Sequence, residues 1–446
     1  MGPLLAGRAH PFQANTAYNR ARSAEAIGFH YGLHWPGRQV DTARCVRRVP
    51  LHRYLKTAGA AFAERIGWEV PMYFDPEGKG WSENASIRWK DWSSLVQEEC
   101  LAARDAAVLL DQSMYAKIVV QGPDAVRALN RVCGAQMDAA IGTSTYTQFL
   151  NDAGGIEADV KVMRTGPERF IVVTGHPSQM RDQHWIKAHA DPDWRFELFD
   201  ATSAYALLTV HGPKARPILE VITDDDIGAE SFPFGAAREI DLAFARGLVI
   251  RRSFLGEVGF EMLIPTEFVH DVYEKLMAAG APWGLRHMGM FAMNACRLEK
   301  GFRHFGHDIA EDDTPYEAGL GFAVKLDKPD AFCGKEALAR QKAGGAATRH
   351  RMVSIAIEGV TAEAGPYLIH NEPIWKDGAI VGHVTSGDWG FRLEKMIGLA
   401  TLHHADGVKK AWIDEGGFQV QIAGDLFDIE TRLKPFYDPS GDIMRG

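Results

Sequence analysis

A strand, a Gly-Pro turn and a helix follow one another twice along this chain. The first copy is VVQGPDAVRAL at residues 119–129, and the second is LTVHGPKARPIL at residues 208–219. A Gly-Pro pair after an apolar run signals a turn, and each pair here leads into a periodic segment that begins a helix. The repetition predicts two related α+β units, each with a strand that turns directly into a helix.

The pattern changes beyond about residue 345, where short strands separated by Gly and Asn turns replace the alternation of strands and helices. Such spacing is typical of a small antiparallel barrel or sandwich. The predicted strands cover residues 352–357, 373–375, 380–385, 396–402, 419–422 and 426–431.

The first 85 residues or so are rich in Arg, Gly, Pro and aromatic side chains, as in FHYGLHWPG at residues 29–37. A disordered segment would contain fewer aromatic residues. We therefore predict an irregular arm that packs on the rest of the protein, with one helix from Leu51 to Ile66.

Length and charge limit the class of protein. A chain of 446 residues can bury a substantial core in two or three domains. The net charge of −9 argues against a nucleic-acid binder, which needs a basic surface. No apolar run approaches the length of about 18 residues that a membrane span requires, and the N-terminal stretch lacks the apolar region of a secretory signal.

The five cysteines are odd in number and form no C-x-x-C pair. A disulfide framework is therefore not expected, and a reducing, cytoplasmic location fits this cysteine usage. The pairs His304/His307 and His403/His404 lack further ligands at zinc spacing, so no metal site is predicted. A hydrolase elbow of the G-x-S-x-G type is absent from the sequence.

The first candidate for chemistry lies in YTQFLNDAGGIEAD, residues 146–159. Two apolar strands flank a Gly-Gly turn and predict a hairpin, with Asp159 near the start of the returning strand. If Val160 faces the core, Asp159 faces the opposite side and can line a pocket, because strand side chains alternate. There it could accept a proton, although an Asp that only closes a turn would look the same in the sequence.

The second candidate is Glu261, in FLGEVGFEM at residues 254–262. Phe260 and Met262 flank it, so alternation places the carboxylate on the other face of the strand. A carboxylate there can accept paired N–H groups of a heterocyclic ligand such as a pterin. A solvated strand Glu would give the same pattern.

Six blocks stand out along the chain: YTQFLNDAGGIEADV, FLGEVGFEMLIP, RLEKGFRHFGHDI, TPYEAGLGFAVKLDK, FCGKEAL and GHVTSGDWG. Their order and spacing resemble those of the folate-dependent aminomethyltransferase family, which includes the T-protein of glycine cleavage, over about residues 86–446. The form RLEKG, with Lys after Arg-Leu-Glu, is similar to the C-terminal half of dimethylglycine and sarcosine dehydrogenases, as are the arm and the ending PFYDPSGDIMRG.

The resemblance implies a role for several residues. Asp159 matches the family's essential acid, near the nitrogen at position 10 of folate. Tyr146 matches an aromatic residue that lines the folate pocket, and Glu261 matches the glutamate that binds the pterin. Phe254 stands where the glycine-cleavage enzymes have Tyr, so a hydroxyl contact is lost. Arg297 remains available as a folate contact, whereas Met293 replaces an Arg of those enzymes.

The resemblance also implies the fold class and its domains. We expect an α+β, aminomethyltransferase-like folate-binding fold with two related α+β domains, a C-terminal antiparallel β-barrel and an N-terminal aromatic-rich arm. Its expected parts are the arm at 1–85, a folate-binding domain at 86–114 plus 200–340, a second domain with Asp159 at 115–199, and the barrel at 345–446.

The dehydrogenases that the chain resembles begin with an FAD-binding half, but no G-x-G-x-x-G follows a strand here. We therefore expect a tetrahydrofolate-dependent transferase without a flavin of its own. It would capture the carbon of a small methylated amine, or of its iminium, as 5,10-methylenetetrahydrofolate, with a separate FAD-containing dehydrogenase subunit.

Two other functions stay open at this point. One is a stand-alone demethylase that moves a methyl group from an N-, O- or S-methyl donor to give 5-methyltetrahydrofolate. The other is a non-catalytic folate-binding or assembly protein, although Asp159 speaks against it. The sequence does not identify the methyl donor.

Overall fold

A computed structural model describes residues 10–32, 38–78, 90–344 and 348–446 of the chain. Within these ranges, no helix is long and apolar enough to cross a membrane. Residues 1–9, 33–37 and 79–85 of the predicted arm lie outside the described residues.

The secondary structure alternates between strands and helices up to residue 343 and is mainly strands beyond it. In chain order the helices are α1 (Thr16–Gly28), α2 (His52–Thr57), α3 (Ser93–Asp105), α4 (Ala125–Val132), α5 (Gln179–His189), α6 (Ala215–Glu220), α7 (Val269–Gly280), α8 (Met290–Glu299), α9 (Lys335–Ala343), α10 (Lys410–Asp414) and α11 (Asp442–Arg445). The strands are β1 (Arg47–Arg48), β2 (Ala60–Arg65), β3 (Trp68–Phe74), β4 (Ala107–Asp111), β5 (Ala116–Gln121), β6 (Ser144–Leu150), β7 (Ile156–Gly166), β8 (Arg169–Thr174), β9 (Glu197–Asp200), β10 (Tyr205–His211), β11 (Ala237–Leu242), β12 (Ala245–Arg251), β13 (Gly259–Pro265), β14 (Leu285–His287), β15 (His350–Ile357), β16 (Pro373–Lys376), β17 (Ala379–Gly390), β18 (Lys395–His403), β19 (Phe418–Ile422) and β20 (Asp425–Arg432).

The arm contains a small sheet, so the prediction of an irregular arm is wrong for this part. Strands β1, β3 and β2 pair in that order, and β3 is buried along its whole length. The helix predicted from Leu51 to Ile66 ends at Thr57, and β2 follows it. Gly59 reverses the chain with φ +91°, and a Cβ at this position would lie 2.4 Å from the carbonyl oxygen of Asp75. The backbone therefore leaves the helix at a point that only glycine accommodates.

A six-stranded sheet has the order β11-β12-β13-β10-β4-β14. Strand β4 pairs with β10, so the segment between them, which contains β5 to β9, is inserted into this unit. That inserted segment forms an antiparallel five-stranded sheet in the order β6-β7-β8-β5-β9. Helices α6 and α7 pack on one face of the six-stranded sheet, and α4 and α5 pack on one face of the five-stranded sheet.

The other faces of the two sheets pack against each other. Apolar side chains from both sheets form one cluster there, with Ile171 and Val173 on one side and Ile250 and Leu263 on the other. The repeated strand–Gly-Pro–helix motif occupies equivalent places in the two units, as β5 with α4 and as β10 with α6. The prediction of two related α+β units is therefore confirmed.

The C-terminal part is a closed barrel in the order β15-β18-β17-β16-β19-β20, with antiparallel pairs throughout. It packs on α8 and α3 through a shared apolar core. The predicted fold class, two α+β units followed by an antiparallel barrel, is confirmed.

Candidate functional site

The hairpin of β6 and β7 carries several polar side chains on one face. In its register Tyr146 lies opposite Lys161, and Gln148 lies opposite Asp159. Opposed residues in an antiparallel pair share a face, so all four side chains are on the same side. Val160 points the other way, into the apolar core, and is only 2% exposed. The alternation thus directs Asp159 away from that core, as the sequence pattern predicts.

The carboxyl of Asp159 is half-buried and hydrogen-bonded. Gln148 donates from Nε2 to Asp159 Oδ1 at 2.9 Å. Burial raises the pKa of Asp159 to about 6, although hydrogen bonds from Gln148 and Tyr146 and the charges of Arg303 and Lys161 act to lower it. Burial and the negative charge of Asp159 also raise the pKa of the Tyr146 hydroxyl. A carboxyl that titrates near pH 6 is suited to exchange protons under physiological conditions.

Glu261 faces this hairpin from the six-stranded sheet. It lies on β13, opposite Thr209 of β10 and Ile250 of β12. Lys161 donates from Nζ to Glu261 Oε2, so an ion pair bridges the two sheets. Because Asp159 and Lys161 are two residues apart on one strand face, this bridge lies about 7 Å along the strand from the Asp159 position. The structure therefore brings three predicted residues together: Asp159, Tyr146 and Glu261.

Four buried polar atoms near this bridge have no hydrogen-bond partner within the described ranges. They are Thr209 Oγ1 and His211 Nδ1 on β10, and Ser144 Oγ and Gln148 Oε1 on β6. Alternation and register place the first two on the face of Glu261 and the last two on the face of Tyr146. Leaving a buried polar atom unpaired costs about 1–3 kcal/mol, so these atoms favour a polar ligand between the two sheets.

Gly259 allows the imidazole of His211 to pack tightly on β13. The two residues are opposite each other, and a Cβ at position 259 would lie 2.1 Å from His211 Nδ1. Burial, with the charges of Lys161 and Arg251, lowers the pKa of His211 to about 3. The ring is therefore neutral at physiological pH and offers one donor and one acceptor.

Phe254 and Arg297 lie in other surroundings. Phe254 stacks on Phe302, with ring centroids 5.9 Å apart, and packs against the core around α3 and α8. Arg297 pairs with Asp308 at 2.5 Å and donates to Ser386 Oγ at 2.9 Å. Its other donors reach Asn294 Oδ1 and the carbonyl oxygen of Phe302. All five N–H groups of Arg297 are thus used inside the protein, where they join α8 to the following loop and the barrel.

The loop after α8 covers the turn of the β6–β7 hairpin. Ile156 donates its backbone N–H to the carbonyl oxygen of Asp313 at 2.9 Å, and Asn151 Nδ2 donates to that of Glu311. Across the described part of the chain, no group of three His, Cys, Asp or Glu side chains is arranged to hold a metal ion.

Sequence comparison identifies the family of this fold. The GCVT N-terminal domain matches residues 51–328, and the glycine cleavage T-protein C-terminal barrel domain matches residues 351–438. The chain belongs to the T-protein (aminomethyltransferase) family. In this T-protein relative, residues 6–48 of the arm also match the FAD dependent oxidoreductase central domain.

Curated relatives of this T-protein family member include longer proteins. It is 37% identical over 97% of its length to 4-methylaminobutanoate oxidase (formaldehyde-forming) of Paenarthrobacter nicotinovorans, of which it covers 51%. It is 30% identical over 98% of its length to human mitochondrial sarcosine dehydrogenase, again covering 51% of that protein. The chain therefore spans about half the length of these relatives.

Two shorter proteins match this chain over almost their own full length. The aminomethyltransferase of Bacillus subtilis is 29% identical over 88% of the chain and 99% of its own length. The crystal structure of aminomethyltransferase T from Bartonella henselae superposes with a TM-score of 0.73 at 24% identity, covering 88% of this chain and 99% of that one. This second match supports the fold.

Sequence reasoning missed five polar residues of the site: Ser144, Gln148, Lys161, Thr209 and His211. For the three on the hairpin a signal was present, because each lies two positions from a predicted residue and so shares its face. For the two on β10 no local signal existed, since their place depends on the pairing of β10 with β13.

Proposed function

We propose that this chain is the tetrahydrofolate-dependent half of an enzyme that demethylates an N-methylated amine. A flavoprotein oxidises the amine to an iminium ion. This chain then transfers the methyl-derived carbon to tetrahydrofolate: two N–H nitrogens of the folate bond to that carbon, its bond to the donor nitrogen breaks, and 5,10-methylenetetrahydrofolate, the demethylated amine and a proton result. The observation that carries the proposal is the position of Asp159, hydrogen-bonded to Gln148 on the strand face that also carries the bridge to Glu261.

The residues between the two sheets fit a folate. Glu261 is a nearly buried carboxylate that can accept the paired N–H groups of a pterin in place of Lys161. Thr209, His211 and Ser144 offer further hydroxyl and imidazole groups without partners in the described structure. Tyr146 supplies an aromatic surface at the same face. We propose no direct folate contact for Phe254, whose ring stacks on Phe302, and we assign Arg297 a positioning role because its donors are all used.

Asp159 is the proton acceptor in this proposal. Tetrahydrofolate supplies an amine nucleophile whose proton must leave as it bonds to the donor carbon. With a pKa of about 6, Asp159 is mainly ionised at pH 7.5 and can take that proton. Its negative charge also favours a cationic donor beside it. Limited exposure of this strand face restricts water, which would otherwise hydrolyse the iminium to formaldehyde.

The oxidising half of the reaction is assigned to a flavoprotein. Two relatives, named as an oxidase and a dehydrogenase of methylated amino acids, are about twice as long as this chain. The arm also matches the central domain of FAD dependent oxidoreductases. Both findings support a flavin-dependent partner, whether it is a separate subunit or a further segment.

Mass spectrometry of the folate products tests the proposal. The wild-type protein is incubated with tetrahydrofolate and dimethylglycine, with and without a flavin-dependent amine dehydrogenase. We expect 5,10-methylenetetrahydrofolate only when the dehydrogenase is present, at a yield above the uncatalysed trapping of formaldehyde. Asp159→Asn should lower the rate by about 10²- to 10⁴-fold while folate still binds. Asp152→Asn, an exposed residue of the same hairpin turn, is the matched control and should leave the rate unchanged.

The pH profile adds a second readout. Because Asp159 must be ionised to accept a proton, kcat/KM should rise through about pH 6 and level off above it. Formation of 5-methyltetrahydrofolate without any dehydrogenase would instead favour a stand-alone demethylase. Folate binding without turnover in any combination would favour a non-catalytic folate-binding protein.

A further inference from the structure

Arg303 is a guanidinium held in place by backbone atoms alone. It follows α8, and its Nε donates to the carbonyl oxygen of Ala318 at 2.8 Å, while Nη1 donates to that of Gly301. In the described ranges no carboxylate lies within ion-pair distance of it, and Nη2 has no hydrogen-bond acceptor. The two backbone contacts fix the plane of the group and leave one amino group free.

Arg303 lies beside the hairpin that carries the candidate site. Its hydrogen-bond partner Ala318 belongs to the apolar cluster that contains Leu150 of β6 and against which Tyr146 packs. The charge of Arg303 also lowers the pKa of both Asp159 and Tyr146, in agreement with this position. Nη2 also sits next to Gly319, where a Cβ would lie 2.8 Å away. The missing side chain at position 319, which has φ +73°, keeps the approach to this amino group open.

The charges around the site leave an excess of positive charge. Lys161 is paired with Glu261, and Arg297 is paired with Asp308. Arg252 donates to the carbonyl oxygen of Ser144 and, like Arg303, has no carboxylate partner in the described residues. The two unpaired positive charges of Arg252 and Arg303 therefore exceed the single negative charge of Asp159. This net positive charge favours an anionic ligand.

We infer that Arg303 binds a carboxylate of a bound substrate through Nη2 and selects for substrates that carry one. This inference rests on the proposed function. The carboxylate belongs either to the methylated amine, as in an N-methyl amino acid, or to the glutamate tail of folate. A planar guanidinium held at two of its nitrogens is well suited to orient such a group.

Titration calorimetry with two pairs of probes tests the inference. The first pair is 4-methylaminobutanoate and N-methylbutylamine, and the second is 5-formyltetrahydrofolate and its pteroate analogue without glutamate. Within each pair only one member carries the carboxylate in question. In the pair whose carboxylate Arg303 binds, we expect Arg303→Gln to weaken binding of the probe that carries the carboxylate by about tenfold or more. Binding of the probe without the carboxylate should stay unchanged. Arg303→Lys should restore part of the affinity.

Arg351→Gln is the matched control. Arg351 donates to the carbonyl oxygen of Tyr316 at 3.1 Å, and its charge acts on Arg303, so its removal changes the local charge equally. It should leave all four affinities unchanged. The inference is overturned if Arg303→Gln affects both members of each pair alike or neither. If the wild-type protein binds neither folate probe, the proposed folate-dependent function fails as well. Binding by the wild-type protein thus distinguishes a failure of the proposed function from a failure of the Arg303 inference alone.

Discussion

The carboxyl of Asp159 lies on a strand face where burial opposes its ionisation. Its pKa of about 6 means that the folded protein holds a proton there at a pH at which an unfolded chain has already released it. Above pH 6 the ionised form, which the proposed reaction needs, reduces the stability of the fold. Function and stability therefore make opposite demands on this residue.

Replacing Asp159 with Asn should stabilise the protein at pH 7.5. The folded pKa is raised, so wild-type stability falls as the pH rises from about 4 to about 6 and stays lower above that range. Asn carries no charge, and its Oδ1 still accepts from Gln148. We expect a gain of about 1 kcal/mol at pH 7.5 that falls to roughly half at pH 5, measured by urea unfolding at both values. An equal gain at both pH values would contradict the argument, and exposed Asp312→Asn serves as the control.

The sequence predicted the direction of the Asp159 and Glu261 side chains because alternation along a strand is a local property. It could not predict that Lys161 pairs with Glu261, since these residues are a hundred positions apart and meet only when the two sheets pack. The sequence also suggested that Arg297 is available to contact folate. In the structure all of its donors are used by Asn294, Phe302, Asp308 and Ser386.

The β6–β7 hairpin is held from outside at its turn. Gly155 lies so close to the loop after α8 that a Cβ would be 1.9 Å from the carbonyl oxygen of Glu311. The next residue, Ile156, donates its N–H to Asp313 in the same loop. The position of Asp159, four residues from Gly155, therefore depends on contact between two elements that are distant in sequence.

Gly155→Ala should disturb this contact. The new methyl group would collide with backbone, which cannot move aside as a side chain can, so the loop or the hairpin must shift. We expect a loss of about 1–3 kcal/mol in the free energy of unfolding and a fall in the rate of folate product formation. Gly166 lies at the other end of β7, where a Cβ would contact only Arg169 Cβ at 3.5 Å. Gly166→Ala should therefore lower neither the stability nor the rate. Unchanged stability and rate in Gly155→Ala would show that the contact is not needed.

Most elements could be predicted from the sequence because their apolar periodicity agrees with their final place. One segment for which the prediction is wrong is residues 60–65, which come shortly after a short helix and contain three alanines, a residue that favours helix. The structure makes them a strand, because Ala61 and Ala63 alternate into a core that the segment after Gly67 completes. Tertiary pairing outweighed local propensity here.

A buried network joins the C-terminal tail to the rest of the molecule. Arg104 of α3 pairs with Glu257 at 3.0 Å and with Glu299 of α8 at 2.7 Å, and all three are nearly fully buried. Tyr437 donates to Glu257, and its ring lies 4.1 Å from the Arg104 guanidinium carbon. One arginine thus connects two helices, a loop of the six-stranded sheet and the tail.

Arg104→Met should be strongly destabilising. It leaves two buried carboxylates without their cation, and breaking a buried ion pair in this way costs about 3–5 kcal/mol. Thermal and urea unfolding measure the loss. Arg127→Met removes a surface pair with Asp124 at 2.9 Å, in which the arginine is 59% exposed, and should cost less than about 1 kcal/mol. Similar losses in the two variants would contradict this view of the network.

The pairing of β4 with β10 has a consequence for synthesis on the ribosome. Asp111 of β4 pairs with Leu208 of β10, so almost a hundred further residues must be translated before β4 can pair with β10. At about 5–20 residues per second this delay lasts roughly 5–20 s. The inserted five-stranded unit is continuous in sequence and is fully translated before β10 emerges. Rare codons within that insert would therefore prolong the time that β4 presents an open edge to chaperones, and would leave the insert itself free to form early.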